Sequence, residues 1–131
     1  MPRLRPTALT TRVFNPLVRR TTWWDVHTLE VAGRRSGRRH RMPVVPVDVA
    51  GHRYLVSPYG ESDWVHNVRA AGRLTLTQRG RTTDWTAAEV PVDQRPPVLR
   101  AWRRKAGWTV GVYFRKRPDP ADHPVFRIDP A

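Results

Sequence analysis

The chain has 131 residues, and 24 Lys and Arg against 11 Asp and Glu give it a formal net charge of +13. We expect a single domain, because a chain of this length builds one hydrophobic core. Six Trp, three Tyr and three Phe exclude an intrinsically disordered chain, which has few aromatic residues to bury. The absence of Cys excludes disulfide frameworks, Cys-ligated zinc, iron–sulfur clusters and catalytic thiolates.

The amino-terminal segment, residues 1–20, is basic and lacks the apolar stretch and cleavage pattern of a secretory signal. Within it, Asn15-Pro16 predicts the start of a short helix, with Asn at the N-cap and Pro at the first helical position. The longest nearly uncharged apolar stretch, residues 42–47, is too short to cross a bilayer. We therefore expect a cytoplasmic protein without a transmembrane segment, and peripheral contact with the inner face of the membrane stays open.

The first half of the chain reads as strands followed by a helix. Alternating apolar and polar residues predict a strand over residues 28–32. A second strand over 41–49 and a third over 52–57 follow, separated by the turn residues Ala50-Gly51, so that three strands form a meander. Residues 61–71 carry apolar side chains at helical spacing and predict a short helix.

The second half begins with a predicted hairpin over residues 73–90, turned at Gly80. Residues 92–106 predict another helix, ended by Gly107. Two short apolar strands, 111–114 and 125–128, flank a loop rich in Pro and Asp. Five or six strands with two or three short helices predict an α+β, mainly β domain or a small barrel.

The densest charge cluster, residues 33–41, holds five Arg at the junction between the first two predicted strands. Because Glu30 and Asp48 are the nearest acids in the sequence, we expect an unbalanced positive potential that attracts a polyanion. Gly33 and Gly37 permit unusual backbone angles there, and Ser36 adds a neutral donor. A solvated loop, or a contact with nucleic-acid phosphates, explains the charge equally well.

A second basic cluster, residues 100–117, has no acid between Asp93 and Asp119. We interpret it as a solvated surface, with a second anion contact as the alternative. The five His lack metal-ligand spacing, so we expect no metal site. No nucleophile elbow, P-loop or dinucleotide-binding glycine motif is present, which argues against hydrolases and nucleotide-binding enzymes.

Four motifs follow one another along nearly the whole chain: Gly33-Arg34-Arg35-Ser36-Gly37, Met42-Pro43-Val44, Tyr54-Leu55-Val56-Ser57 and Trp64-Val65-His66-Asn67-Val68-Arg69-Ala70. In these motifs the chain resembles the deazaflavin-dependent nitroreductase family, which includes the F420H2-dependent quinone reductases. The resemblance implies a single split β-barrel domain of the flavin- and deazaflavin-binding type over residues 1–131. It also implies coenzyme F420 as the cofactor, with FMN as the runner-up, and hydride transfer to a quinone, a nitro compound or another electron-poor small molecule.

The resemblance also implies which residues bind the cofactor. The phosphate and the start of the glutamate tail would be held by Arg34, Arg35, Ser36 and Gly37. His40 and Arg41 would continue this part of the site. His40 stands where the family commonly has a basic residue. The deazaflavin would lie along the backbone of Met42, Pro43 and Val44.

The remaining implied site residues border the deazaflavin ring or close the pocket. The ring would be bordered by Ser57, Pro58, Tyr59 and Gly60, with Tyr59 standing where some family members have Lys. Trp64 and Asn67 would close the pocket, although Trp64 has a second interpretation as a hydrophobic anchor of its helix. Ser57 and Tyr113 are the catalytic candidates, as hydrogen-bond donors to the acceptor oxygen.

Two other functions stay open at this point. A basic nucleic-acid-binding module would use the charge and the aromatic residues, but no recognised DNA or RNA motif accompanies them, so we expect no nucleic-acid partner. A barrel that binds the coenzyme without catalysis would keep the fold and lose the chemistry.

Overall fold

The computed structural model describes residues 25–107 and 115–131. These residues form seven strands and two α-helices: β1 (His27–Ala32), β2 (Arg39–Val44), β3 (Val47–Val49), β4 (His52–Val56), α1 (Asp63–Ala71), β5 (Arg73–Gln78), β6 (Arg81–Glu89), α2 (Pro96–Ala106) and β7 (Val125–Pro130). Two single-turn 3-10 helices lie at Val92–Gln94 and Pro120–Asp122. The predicted helix after Asn15 and the predicted strand over 111–114 lie outside the described residues.

The mainly β fold is confirmed, and most strands and helices begin and end within a few residues of their predicted positions. The single strand predicted over 41–49 is wrong, because Pro46 has no N–H to offer a strand ladder and the chain breaks there into β2 and β3. The helix predicted from residue 92 starts instead at Pro96, since Pro is favoured in a first helical turn. The split into β2 and β3 raises the number of strands in the described residues to seven.

The strands form one sheet in the order β2-β1-β5-β6-β7-β4-β3, with every neighbouring pair antiparallel. Both pairings of the predicted three-strand meander, β1 with β2 and β3 with β4, are present, but the break in its middle strand places β2 and β3 at opposite edges of the sheet. A flat sheet of this kind would be about 29 Å wide. Since only Val45-Pro46 joins the two edges, and three Cα steps span about 11 Å at most, the sheet curls until its edges approach each other.

The curled sheet encloses the first hydrophobic core, and α1 packs into it with Trp64, Val65 and Val68. The other side of β3, β4 and β7 carries a second core, which α2 covers with Val98, Leu99 and Trp102. The architecture is thus a half-open barrel closed by α1 on the inside and buttressed by α2 on the outside.

The connection between the two sheet edges is bound to α2 through both of its carbonyl groups. The buried Trp102 indole donates from Nε1 to the Val45 carbonyl at 2.9 Å. One helical turn later, Lys105 donates from Nζ to the Pro46 carbonyl at 2.6 Å and forms an ion pair with Asp25. The interpretation of Lys105 as part of a solvated surface is therefore wrong. For Arg100, on the same helix, the structure agrees with that interpretation, because this residue is exposed.

Replacing Trp102 by Phe tests this anchor, because Phe keeps most of the buried ring and removes only the N–H. We expect W102F to lower the free energy of unfolding by about 1–3 kcal/mol, the cost of a buried carbonyl without its donor. Chemical denaturation measures the change. R100A, an exposed position on the same helix, should stay within about 0.5 kcal/mol of the wild type, and equal losses in both variants would contradict the assignment.

Candidate functional site

The loop between β1 and β2 is folded by its two glycines. The Gly33 N–H donates to the Arg38 carbonyl at 2.7 Å, and the Gly37 N–H donates to the Gly33 carbonyl at 3.0 Å. Gly37 has φ +76°, a conformation that residues with a side chain rarely adopt. Ser36 accepts a bond at its hydroxyl oxygen from the Arg38 N–H, at 3.1 Å, so its own proton stays available for a ligand.

Arg34 connects this loop to helix α1. Its backbone N–H donates to the Asn67 side-chain oxygen Oδ1 at 3.0 Å, and its guanidinium Nη1 donates to the same oxygen at 2.8 Å. A weaker ion pair joins Arg34 Nη2 to Asp63 in the first turn of α1, at 3.6 Å. The structure therefore brings the predicted site residues Arg34 and Asn67 together, although they lie 33 positions apart in the sequence.

Strand alternation divides the Arg cluster between the two faces of the sheet. Arg39 and Arg41 lie on the outer face and pair with Glu30 of β1 at 2.6 and 3.0 Å. Their hydrogen bonds hold the pKa of Glu30 below its usual value. The expected lack of an acid at this cluster is therefore wrong, and the predicted cofactor ligand Arg41 faces away from the barrel interior.

The alternate residues of β2 face the other way. The register places His40 beside Val31 and Met42 beside Leu29, on the face that carries the barrel core. The His40 ring lies against Gly33, where an added Cβ would stand 2.7 Å from its Nε2. Val44 is buried and Met42 is packed against the core.

β2 pairs only with β1 among the strands that the structure describes. No described strand therefore pairs with the backbone groups on its other side, and edge groups of this kind can bind a ligand. This geometry is compatible with the predicted backbone contacts of Met42, Pro43 and Val44.

The loop from β4 to α1 is ordered by Ser57, whose side chain is fully buried. The Ser57 hydroxyl donates to the Gly60 carbonyl at 2.6 Å, and the Ser57 N–H donates to the Pro124 carbonyl at 2.9 Å. A serine hydroxyl has a single proton to donate, so in this conformation Ser57 has none for a substrate. The structure thus replaces its predicted role as a catalytic donor by a structural one. Tyr59, in the same loop, is 44% exposed.

Trp64 lies in the barrel core with 6% of its surface exposed. Its ring packs against Phe126, with centroids 6.0 Å apart and the planes tilted by 55°. This burial favours the interpretation of Trp64 as a hydrophobic anchor of its helix over its predicted role in closing the pocket. The other aromatic candidate, Tyr113, lies outside the described residues.

Sequence reasoning missed a chain of ion pairs behind the β4–α1 loop. Arg69 of α1 bridges Glu61 at 2.9 Å and Glu89 at 2.8 Å, and Glu89 also contacts Arg95 at 3.2 Å. Arg95 is 5% exposed and donates to the carbonyls of Val90 and Pro120. No local pattern could have revealed this chain, because its members come from four separate segments: the β4–α1 loop, α1, β6 and the residues before α2.

His123, also missed from the sequence, is fully buried behind Ser57. Its Nδ1 lies 3.2 Å from the Ser57 carbonyl, and its Nε2 lies 2.5 Å from the Arg117 carbonyl. The β4–α1 loop and the segment before β7 are therefore held to each other through this imidazole.

A polar cluster lies at the opposite end of β1. Asp25 accepts bonds from His27 and Gln78, each at 3.2 Å, and pairs with Lys105. Although burial alone would raise it, the pKa of Asp25 is held below its usual value by hydrogen bonds from Lys105 and Gln78. Burial lowers the pKa of His27 more than its contact with Asp25 raises it.

The described part of the chain lacks both a metal-binding cluster and a membrane-spanning helix. Residues 25–107 and 115–131 contain no group of three His, Cys, Asp or Glu side chains placed to hold a metal ion. No helix within the same residues is both long and apolar enough to span a membrane.

Comparison with known proteins identifies related sequences and folds. A model of the F420H(2)-dependent quinone reductase family matches residues 4–117. No curated protein matches the sequence. Among solved structures, the chain is similar to an F420-H2 dependent reductase (FDR-A), with a TM-score of 0.63 and 21% identity over 80% of this chain and 94% of that one.

Two further solved structures share the fold. The heme storage protein HutZ from Vibrio cholerae has a TM-score of 0.60 and 11% identity over 92% of this chain and 89% of its own. An FAD-binding protein from Mesorhizobium loti has a TM-score of 0.54 and 19% identity over 95% of this chain and 90% of its own. At such identities these likenesses establish the fold alone, and the predicted split β-barrel is confirmed.

A matched pair of serine variants tests the structural role of Ser57. S57A removes a buried hydrogen bond and leaves the Gly60 carbonyl without its donor, so we expect a loss of about 1–2 kcal/mol in the free energy of unfolding. The Ser62 hydroxyl is buried without a hydrogen-bond partner in the described residues. S62A should therefore change stability by less than about 0.5 kcal/mol or raise it, and a larger loss for S62A than for S57A would contradict this assignment.

The lowered pKa of His27 predicts a loss of stability on mild acidification. At pH values between the lowered pKa of His27 in the folded chain and its ordinary value of 6.5, this imidazole is protonated in the unfolded chain but not in the folded one. The free energy of unfolding therefore rises with pH across this range. We expect the free energy of unfolding to fall as the pH drops below 6.5, and the Asp25 contribution to be lost only at lower pH, below its ordinary value of 3.8. Denaturation of the wild type and H27Q across this range measures the slope, and identical slopes would contradict the prediction.

Proposed function

Since the chain belongs to the F420H(2)-dependent quinone reductase family, we propose that it reduces a quinone, a nitro compound or another electron-poor small molecule. Family membership makes the protein an oxidoreductase with coenzyme F420 as its cofactor. It does not favour the alternative of a nucleic-acid-binding module. The structural observation that carries the proposal is the β1–β2 loop, which combines Arg34, Arg35 and Arg38 with exposed backbone and a free Ser36 proton.

The donor set of this loop fits the charge of the coenzyme. Coenzyme F420 carries a phosphodiester and a glutamate tail, and Arg is the residue best suited to both, because its guanidinium binds phosphate and carboxylate in a bidentate fashion. Arg35 and Arg38 are exposed and have no carboxylate partner in residues 25–107 and 115–131. Of the acids near the loop, Glu30 is engaged by Arg39 and Arg41, and Asp63 makes a long ion pair with Arg34 at 3.6 Å.

We assign the deazaflavin ring to the region between the open edge of β2 and the β4–α1 loop. The backbone of Met42, Pro43 and Val44 would hold one side of the ring, and Pro58, Tyr59 and Gly60 would border another. Ser57 supports this loop from behind through Gly60. Preorganised contacts of this kind hold reacting atoms at short range and supply part of the rate enhancement.

The reduced deazaflavin supplies the hydride when it is bound, so the protein needs no nucleophile of its own. The residues of this chain bind the coenzyme, orient its ring and exclude water from its buried side. Tyr113 stays our candidate for a hydrogen bond to the acceptor oxygen, where negative charge develops. The proton that completes the reduction is then supplied by solvent. We further propose that one domain, residues 1–131, carries out the whole reaction.

Fluorescence titration with coenzyme F420 tests the binding half of the proposal. We expect micromolar or tighter binding by the wild type, and weaker binding of FMN. R35E should weaken F420 binding by about tenfold or more, since it replaces an attractive charge by a repulsive one. R100E, the same charge reversal at an exposed position of α2, should change the affinity by less than about twofold. Equal effects of the two variants, or equal affinity for FMN, would sink this assignment.

Steady-state turnover tests the catalytic half. With F420H2 in excess, we expect loss of its absorbance on addition of menadione and, separately, of a nitroaromatic compound. A wild-type protein that binds the coenzyme and turns over neither acceptor would establish the non-catalytic alternative. Turnover of menadione alone would restrict the substrates to quinones.

A further inference from the structure

Asn67 is an unusual residue for the inside of a helix that packs into a hydrophobic core. It is 2% exposed and lies on α1 between Val65 and Val68, which are both fully buried. A buried amide is costly unless its polar atoms are bonded. Among the described residues, the Oδ1 atom of Asn67 meets this requirement through Arg34, which donates to it from both its backbone and its guanidinium.

The two bonds constrain different parts of Arg34. The bond from the backbone N–H, at 3.0 Å, fixes the path of the loop immediately after Gly33. The bond from Nη1, at 2.8 Å, fixes the direction of the long side chain, which would otherwise sample many rotamers. A guanidinium has five N–H donors, and within residues 25–107 and 115–131 only two of its nitrogens are engaged, Nη1 by Asn67 and Nη2 by Asp63.

We propose that Asn67 is a positioning residue, which acts on the anionic part of the coenzyme through Arg34 and makes no contact with the deazaflavin ring. This assignment rests on the proposed function and revises the predicted role of Asn67 as a residue that closes the pocket. Its basis is that the Asn67 oxygen is already occupied by Arg34, while Arg34 is 29% exposed at its side chain and keeps donors for a phosphate or carboxylate. Prearranging the guanidinium lowers the entropic cost of binding the anion.

The proposal predicts selectivity between two forms of the ligand. Full coenzyme F420 carries the phosphate and the glutamate tail, whereas the ribityl deazaflavin fragment has the same ring without either. A residue that acts through Arg34 should affect only the first. A residue that contacts the ring, or that merely stabilises the fold, should affect both.

Fluorescence titration of N67A with the two ligands tests this selectivity. We expect about tenfold weaker binding of F420, the usual effect of losing a hydrogen bond to a charged group. Binding of the ribityl deazaflavin should change by less than about twofold. Equal losses for both ligands, or no loss for F420, would overturn the proposal.

Two further variants guard against a folding artefact. Q78A removes another partly buried amide, at the opposite end of β1, and should lower the thermal midpoint without changing the affinity for F420. N67D keeps the acceptor oxygen and adds a charge that offsets the charge of Arg34, so it should weaken F420 binding while sparing the fragment. If N67A fails to fold, N67D alone decides, and unchanged F420 affinity in N67D then overturns the proposal.

A double-mutant cycle identifies the route by which Asn67 acts. In an R34A background, N67A should lower F420 affinity by less than about threefold, because the guanidinium that it positions is gone. The full tenfold loss in that background would place Asn67 in direct contact with the coenzyme. A wild-type protein that binds neither ligand would refute the proposed function itself. That outcome is distinct from equal losses for both ligands, or no loss for F420, in N67A, which would refute only the role of Asn67.

Discussion

The short connection Val45-Pro46 constrains the whole molecule. It joins two strands that lie at opposite edges of a seven-stranded sheet, so the sheet has to curl and its edges have to approach. Curling gives α1 an interior in which to bury Trp64, Val65 and Val68. It also brings the first turns of α1 beside the β1–β2 loop, where Asn67 meets Arg34. The donors that Trp102 and Lys105 extend to this connection hold the closure in place.

The same architecture distributes the charge of the Arg cluster, residues 33–41, unevenly. Along β2 the pleat sends Arg39 and Arg41 to the outer face, where one carboxylate, Glu30, balances both in part. The loop before β2 retains Arg35 and Arg38 in solvent. The tip of the β1–β2 hairpin thus keeps exposed Arg side chains next to an open strand edge, and an anionic ligand with a flat ring satisfies both features.

Local patterns in the sequence predicted most of the helices and strands, because burial imposes a period of two or 3.6 on neighbouring residues. The ordered motifs also pointed to the family and the cofactor. The sequence could not predict contacts made at long range: Asn67 with Arg34, 33 positions apart, and Lys105 with Asp25, 80 positions apart. The pairing of Glu30 with Arg41 depended on strand register, which a pattern of charges does not reveal.

The position of β7 has a consequence for the order in which the barrel forms. β2, β1, β5 and β6 make one continuous ladder, β4 and β3 make another, and β7 alone joins them, between β6 and β4. During synthesis the two ladders therefore stay unconnected by strand pairing until the last strand of the sheet has emerged. Nonlocal pairing of this kind slows folding, and until it occurs the edges of β4 and β6 remain open to other chains.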